Sequence, residues 1–210
     1  MYRYELKFAI DHLSAEAITA EILCHPASFS KAFPDRQVNN IYLDSLDFDC
    51  FHQNVEGHPK RSKMRLRWYG ETDSPTRTST LEIKHKQAEL GWKESFPITA
   101  KSLSTEIAFL KVIQLARPSL SMLKPTLHNN YLRSYYVSSD QKFRITIDTE
   151  QRFRLPFRAI EPLDLNYIPV ILELKYAAED AKYAREITDY FKFRQTKNSK
   201  YVTGIERLYL

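Results

Sequence analysis

Apolar and charged residues alternate with period two through much of this chain. At 2–8, Tyr4, Leu6 and Phe8 oppose Arg3, Glu5 and Lys7. At 63–68, Met64, Leu66 and Trp68 oppose Lys63, Arg65 and Arg67. Leu81 and Ile83 oppose Glu82, Lys84 and Lys86, and Phe143, Ile145 and Ile147 oppose Arg144, Thr146 and Asp148. Leu172 and Leu174 oppose Glu173 and Lys175. Successive side chains of a strand point to opposite faces, so each stretch predicts a strand with one apolar and one charged face. The pattern and β-rich composition predict strands at 2–10, 38–44, 63–69, 80–87, 92–98, 131–138, 142–149 and 169–176, with a shorter one at 151–155. Helices are predicted from Ser14 to Cys24, ending before Pro26, and from Ser104 to Ala116, ending before Pro118. A third is predicted over 179–193, with its acids at the positive end of the dipole. Segments 52–62 and 71–79 read as loops, and Pro156 to Pro169 as irregular.

Sequential strands joined by short polar loops predict antiparallel hairpins. The expected fold is one mostly-β, α+β domain over 1–210: a closed barrel of about eight strands with helices packed outside. Half-buried strands normally carry a solvated outer face. Such faces mix in Ser, Thr, Gln and Asn, whereas these five carry long charged residues with cations in the majority. A closed barrel would turn them inward, as a charged tunnel for a polyanion, because a water-poor cavity strengthens each ion pair. Carboxylates there do not bind the anion; they suit a divalent cation that bridges to phosphate oxygens.

Composition narrows this further. The 210 residues carry 31 Lys and Arg against 26 Asp and Glu, a net charge of +5, which favours an anionic partner. The four glycines, Gly57, Gly70, Gly91 and Gly204, are scattered, so the glycine-rich phosphate loops of P-loop and Rossmann proteins are excluded. Phosphate would have to be held by side chains. Cys24 and Cys50 form no CxxC or zinc pattern; they read as buried free thiols, with a single disulfide as the alternative. The opening MYRYELKFAI has no apolar signal region, and no apolar run reaches the ~20 residues of a spanning helix, so a soluble cytoplasmic chain is expected.

Eight segments, in order, resemble one family: RYELK at 3–7, NNIYLDS at 39–45, KMRLRWYG at 63–70, LEIKHK at 81–86, YLRSYY at 131–136, FRITID at 143–148, ILELKY at 171–176 and KNSKYVTGIE at 197–206. The chain is similar to the VTC domain, the polyphosphate polymerase domain of the triphosphate tunnel metalloenzyme superfamily. The resemblance implies an antiparallel barrel forming a tunnel with helices outside. It also implies that Arg65 and Arg67 clamp phosphates, for which the planar guanidinium fork is suited. Lys84, Arg133 and Arg144 match further basic catalytic positions. Lys7, Lys63, Lys86, Lys93, Lys175, Lys197, Ser199 and Lys200 match or flank substrate-binding positions, with Ser199 and Lys200 closing one tunnel mouth. Glu173 matches the metal-binding glutamate, with Glu5 assisting, and the implied cofactor is Mn²⁺ or Mg²⁺. Tyr42 and Asp44 read as structural, and Glu82 as an ion-pair partner. No histidine is assigned as a ligand.

The wider superfamily opens E-x-E-x-K, and here Arg3 stands at the first glutamate. That favours the polymerase-like branch over triphosphatases and class IV adenylate cyclases. The implied activity is metal-dependent phosphoryl transfer, polyphosphate synthesis from a nucleoside triphosphate, with a triphosphatase as the alternative. Eukaryotic polymerases of the family carry membrane and partner domains, so a membrane or accessory partner is expected to supply any coupling to transport. A non-catalytic polyanion-binding module is the alternative of another class. Nucleic acid fits poorly, since Tyr4, Phe8, Trp68 and Phe143 lie on the faces opposite the basic residues.

Overall fold

A computed structural model of the chain describes residues 3–72, 79–88, 90–98, 105–158 and 168–210. Eight strands are present: β1 (Arg3–Ile10), β2 (Ser30–Asp44), β3 (Lys60–Tyr69), β4 (Ser79–Gln87), β5 (Leu90–Ile98), β6 (Lys124–Val137), β7 (Arg144–Arg154) and β8 (Val170–Ala177). Five α-helices accompany them: α1 (Ala15–Leu23), α2 (Asp49–Val55), α3 (Glu106–Ala116), α4 (Ala184–Thr188) and α5 (Lys200–Tyr209). The strands form one sheet in the order β1-β8-β7-β6-β2-β3-β4-β5. That order has two ends, so among the described residues the sheet is open; the expected closed barrel is corrected to an open eight-stranded antiparallel sheet. No described helix is long and apolar enough to cross a membrane.

The chain divides into two compact units. The first comprises 1–36, 132–151 and 165–198. In it β1 pairs β8 from Arg3↔Ala177 to Ile10↔Val170, and β7 pairs β8 from Arg144↔Lys175 to Asp148↔Ile171. The apolar faces, with Phe8, Ile10, Ile145, Ile147, Leu172 and Leu174, are buried in one core with Ile18 and Ile22 of α1 and Ala184 and Ile187 of α4. The Ser14 side chain caps α1 by accepting from the Ala17 amide. The helix predicted over 179–193 is much shorter. A 3-10 segment, Ala178–Tyr183, leads into α4, which stops at Thr188. Phe191 and Phe193 are both buried at i, i+2 spacing, which extended chain provides and a helix does not. Cys24 is free and exposed rather than buried.

The second unit comprises 37–131, 152–164 and 199–210. Here β2, β3, β4 and β5 form successive antiparallel pairs. Their apolar faces bury Ile41, Leu43, Leu66, Trp68, Leu81 and Ile83; Phe109 and Ile113 of α3 and Tyr201 and Ile205 of α5 are also buried in this unit. Helices α2 and α5 are absent from the sequence-based expectation, which placed a loop at 52–62. Both are organised by Asp44, which is wholly buried. Its Oδ1 accepts from the Ser45 and Cys50 amides at 2.8 and 2.9 Å, and its Oδ2 from the Phe51 amide at 3.0 Å. The Tyr201 hydroxyl of α5 donates to Oδ2 as well. The α2 N-cap, Phe48, is in the left-handed region at φ 56 and makes no side-chain cap, so a carboxylate upstream satisfies the orphan amides instead. Burial, reinforced by Asp44, pushes the Cys50 thiol up to about 12; Cys50 is free. The helix expected from Ser104 begins at Glu106 with Thr105 as its cap. Ser104, residues 73–78 of the predicted 71–79 loop and 159–167 of the predicted irregular segment lie outside the described residues.

Gly204 shows how closely α5 seats. A Cβ there would clash with Leu127 and lie 2.8 Å from Phe153 Cδ1. Gly204→Ala is expected to lower stability by about 1–3 kcal/mol, the usual range for overpacking a filled core. Urea denaturation measures this; an unchanged midpoint would refute the packing assignment.

Candidate functional site

In the second unit, the charged faces of β3, β4 and β5 form one surface. Register partners in an antiparallel pair share a face. Arg65 lies opposite Glu82, and Lys63, Lys84 and Lys93 form a continuous row, as Lys63↔Lys84 and Lys84↔Lys93. Arg61↔Lys86 continues the basic surface along the strands. Glu82, 5% exposed, is the acidic centre. Its Oε2 accepts from Arg65 Nε and Nη2 at 2.8 and 2.7 Å, and its Oε1 from Lys93 Nζ at 2.6 Å. Arg67 Nη1 stands 3.9 Å from the same Oε2. Burial alone would raise this carboxyl's pKa. The three cations more than offset that and hold it well below the usual carboxylate range.

Neutral groups fix the two arginines. Arg67 Nε donates to Asn40 Oδ1 at 2.8 Å and Nη2 to the Tyr131 hydroxyl at 3.0 Å; Arg65 Nη1 reaches the Tyr42 hydroxyl at 3.3 Å. Lys200 Nζ lies 4.7 Å from the centre of the Tyr131 ring. Ser199 caps α5 by accepting from the Val202 amide, and the same Oγ accepts from Lys63 Nζ at 2.7 Å. Two lysines therefore stand at the positive end of a helix, an arrangement that attracts anions. On the opposite face, His85 links Ser62 Oγ and Glu94 Oε1, each at 2.8 Å, and stacks on Trp92.

In the first unit the charge is balanced differently. Arg133 grips Asp148 bidentately, Nε to Oδ1 at 2.5 Å and Nη2 to Oδ2 at 2.6 Å, and stands 3.4 Å from Glu173 Oε2. Lys175 Nζ donates to Glu173 Oε2 at 2.7 Å. Lys7 Nζ lies 3.4 Å from Glu173 Oε1 and 3.1 Å from Glu5 Oε1, and donates to the Asn198 carbonyl at 3.0 Å. Burial alone would lower the Lys7 pKa, but Glu173 and Glu5 more than offset it and raise it above the ordinary lysine value. Three cations thus meet three carboxylates. Beside them the Thr146 hydroxyl, buried and in register with Glu173, has no hydrogen-bond partner among the described residues. Arg144 and Lys197 are exposed. The oxygen donors of Glu5 and Glu173 suit a hard cation. Among the described residues, however, no three of His, Cys, Asp and Glu are grouped to hold one. Glu173 Oε1 faces Lys7 and its Oε2 faces Lys175 and Arg133, so these carboxylates stand in ion pairs.

The structure thus gathers Lys63, Arg65, Arg67, Lys84, Lys86, Lys93, Ser199 and Lys200 in one unit, and Glu5, Lys7, Arg133, Arg144, Glu173, Lys175 and Lys197 in the other. The sequence reading gave no site role to Asn40, Tyr131 and Asp148. Asn40 and Tyr131 are uncharged and sit outside the alternating basic runs; Asp148 was on a charged face, but its pairing with Arg133 is long-range.

Glu82 makes stability depend on pH. Its folded pKa is depressed, so its contribution is complete above the ordinary value of 4.5 and is lost as pH falls through the folded value. Glu82→Gln is expected to lower the urea midpoint at pH 7, because three cations lose their shared counter-charge, and to flatten the stability profile below pH 4.5. Parallel acid profiles for wild type and variant would refute this role.

The VTC domain family model matches residues 2–209. Comparison with curated proteins gives no match. Among solved structures, a candidate adenylate cyclase from Vibrio parahaemolyticus is similar with a TM-score of 0.59 at 12% identity, over 97% of this chain and 98% of that one. A candidate adenylate cyclase from Bacillus halodurans gives 0.56 at 16% identity, over 100% of both chains. A candidate adenylyl cyclase from Hippeastrum, described as having a dominant triphosphatase activity, gives 0.57 at 11% identity, over 100% of this chain and 98% of that one. At these identities the likeness is one of fold; the family match across nearly the whole chain leads to one conclusion: this protein belongs to the VTC-domain family.

Proposed function

We propose that this protein carries out metal-dependent phosphoryl transfer on a triphosphate or polyphosphate, and that its reaction is polyphosphate synthesis from a nucleoside triphosphate. The observation that carries the reading is the lysine row Lys63–Lys84–Lys93 across three neighbouring strands. Like charges directly opposite in a sheet are destabilising. Within the row, Lys93 is paired with Glu82, which also receives Arg65. A polyanion with several charges is complementary to such a row, and the family membership supports the same ligand class.

Phosphoryl transfer needs positioning and charge neutralisation more than covalent help from the protein. Arg65, Arg67, Lys84 and Lys93 hold phosphate oxygens in this reading, with Lys63, Lys86, Ser199 and Lys200 extending the cradle. Lys7, Arg133, Arg144, Lys175 and Lys197 supply further positive potential. Glu173 and Glu5 are the residues that would hold Mn²⁺ or Mg²⁺, and such an ion would supply neutralisation of phosphate charge. The acceptor is phosphate or the end of a growing chain. With water as acceptor the same groups make a triphosphatase; binding without turnover makes a polyanion-binding module.

Incubation of the purified protein with ATP and Mn²⁺, with separate assays of chain product and free phosphate, tests the reading. Chain product supports it; phosphate alone assigns the triphosphatase, and no turnover assigns the binder. Arg67 is too entangled with Asn40 and Tyr131 for a clean binding test, so the exposed Lys84 and Lys93 serve better. Lys84→Gln and Lys93→Gln are each expected to weaken tripolyphosphate binding about tenfold or more, the value of one charge-assisted hydrogen bond. Wild-type affinity in both would refute the cradle. Glu173→Gln is expected to abolish divalent-dependent turnover while tripolyphosphate binding survives or tightens, because a negative charge is removed. Turnover with unchanged Mn²⁺ dependence would return Glu173 to a simple ion pair with Lys7 and Lys175.

A further inference from the structure

Residues 30–36 of β2 precede the stretch that pairs with β3, which starts at Val38. Phe33 in that segment is 53% exposed. A lone exposed phenylalanine needs no explanation, but this one is part of a built group. The Tyr135 ring of β6 meets the Phe33 ring edge to face, with centroids 5.8 Å apart and planes at 89°. The Arg36 guanidinium lies 5.4 Å from the centre of the Phe33 ring and 5.7 Å from that of Tyr135. Pro34 stiffens the segment, because it fixes its own φ and confines the backbone of Phe33 to extended conformations. All of these residues belong to the first unit.

Tyr135 stands two residues after Arg133 and so shares its face of β6, whereas Tyr136 points into the core. That face is the charged one: Arg133 grips Asp148 there, and Arg144 on the same face of β7 is exposed. Tyr4, Phe8 and Trp68 lie opposite the basic residues of their own strands. Tyr135 breaks that pattern and brings an aromatic ring to the cations, which is what a ligand with both a flat ring and phosphates requires.

We propose that Phe33, Tyr135 and Arg36 form a stacking platform for the base of the nucleoside triphosphate. The inference rests on the reading of the substrate as a nucleoside triphosphate. Every base has a π-face that stacks on an aromatic ring or on a guanidinium plane. The half-exposed Phe33 ring offers such a surface, and its contacts with Tyr135 and Arg36 hold it in place before the ligand arrives, which lowers the ordering cost of binding. An inorganic polyphosphate has no base, so the platform favours the nucleotide substrate over the chain product.

Calorimetric titration of the full chain with β,γ-imido-ATP and, separately, with tripolyphosphate tests this, because both present a chain of phosphates and only one carries a base. Phe33→Leu keeps an apolar side chain and removes the ring. It is expected to weaken imido-ATP binding about tenfold, within the range for loss of one base–aromatic stack, and to leave tripolyphosphate affinity and the urea midpoint as in wild type. Phe33→Trp, which keeps a ring, should bind imido-ATP at least as well as wild type. Unchanged imido-ATP affinity in Phe33→Leu overturns the proposal. Equal weakening for both ligands overturns it too, since Phe33 would then be structural. In either case wild-type binding of tripolyphosphate leaves the phosphate-transfer reading standing. If wild type binds neither ligand, that reading fails and the platform fails with it.

Discussion

A charge taken out of water must be met by opposite charge or hydrogen bonds, and much of this protein is arranged around that requirement. Glu82 shows it most clearly. Its carboxylate is almost fully buried and accepts from Arg65 and Lys93, with Arg67 at longer range. Those contacts reach across β3, β4 and β5, so they set side-chain directions on all three strands together. The Arg133–Asp148 pair does the same between β6 and β7. Buried pairs of this kind add little net stability against an apolar alternative, because desolvation opposes the Coulomb gain. Their presence is better understood through what they position than through what they stabilise.

The two units use the same residue types to different ends. Around Glu173, three cations meet three carboxylates, and the cluster is close to neutral. Around Glu82, cations predominate and run on into the Lys63–Lys84–Lys93 row. The amino terminus of α5 adds further positive potential beside Lys63. The second unit gathers basic residues on one face, whereas the first unit holds its carboxylates among paired cations.

Asp44 connects this chemistry to the fold. By accepting from the Cys50 and Phe51 amides and from the Tyr201 hydroxyl, it fixes α2 and α5 on the end of β2. Helix α5 in turn carries Ser199 and Lys200 to the basic surface. Asp44 thus helps to set where Ser199 and Lys200 stand on that surface. Gly204 has a similar part, since only a residue without Cβ lets α5 approach Leu127 and Phe153 so closely.

The strands were legible because alternation is a local property: a face of Arg65 and Arg67 against Leu66 and Trp68 admits only a period-two backbone. Six of the eight strands lie close to where that pattern put them. β2 and β6 extend further toward the amino terminus, through stretches such as 124–130 where Thr, His and Asn replace the apolar face and pair through buried amides instead. The helix over 179–193 was overread because Tyr183, Ile187 and Tyr190 imitate a helical stripe. In the fold the two tyrosines are exposed, and Phe191 and Phe193 enter the core in extended chain. Local patterning and the order of eight short motifs were enough to determine the strand content, the charged faces, the family and the residues that carry charge. Only the tertiary structure decided which charges meet, that the sheet stays open among the described strands, that Asp44 builds two helices, and that Thr146 is buried without a partner. Each of those depends on contacts between residues far apart in sequence, and long-range pairing leaves no periodic trace along the chain.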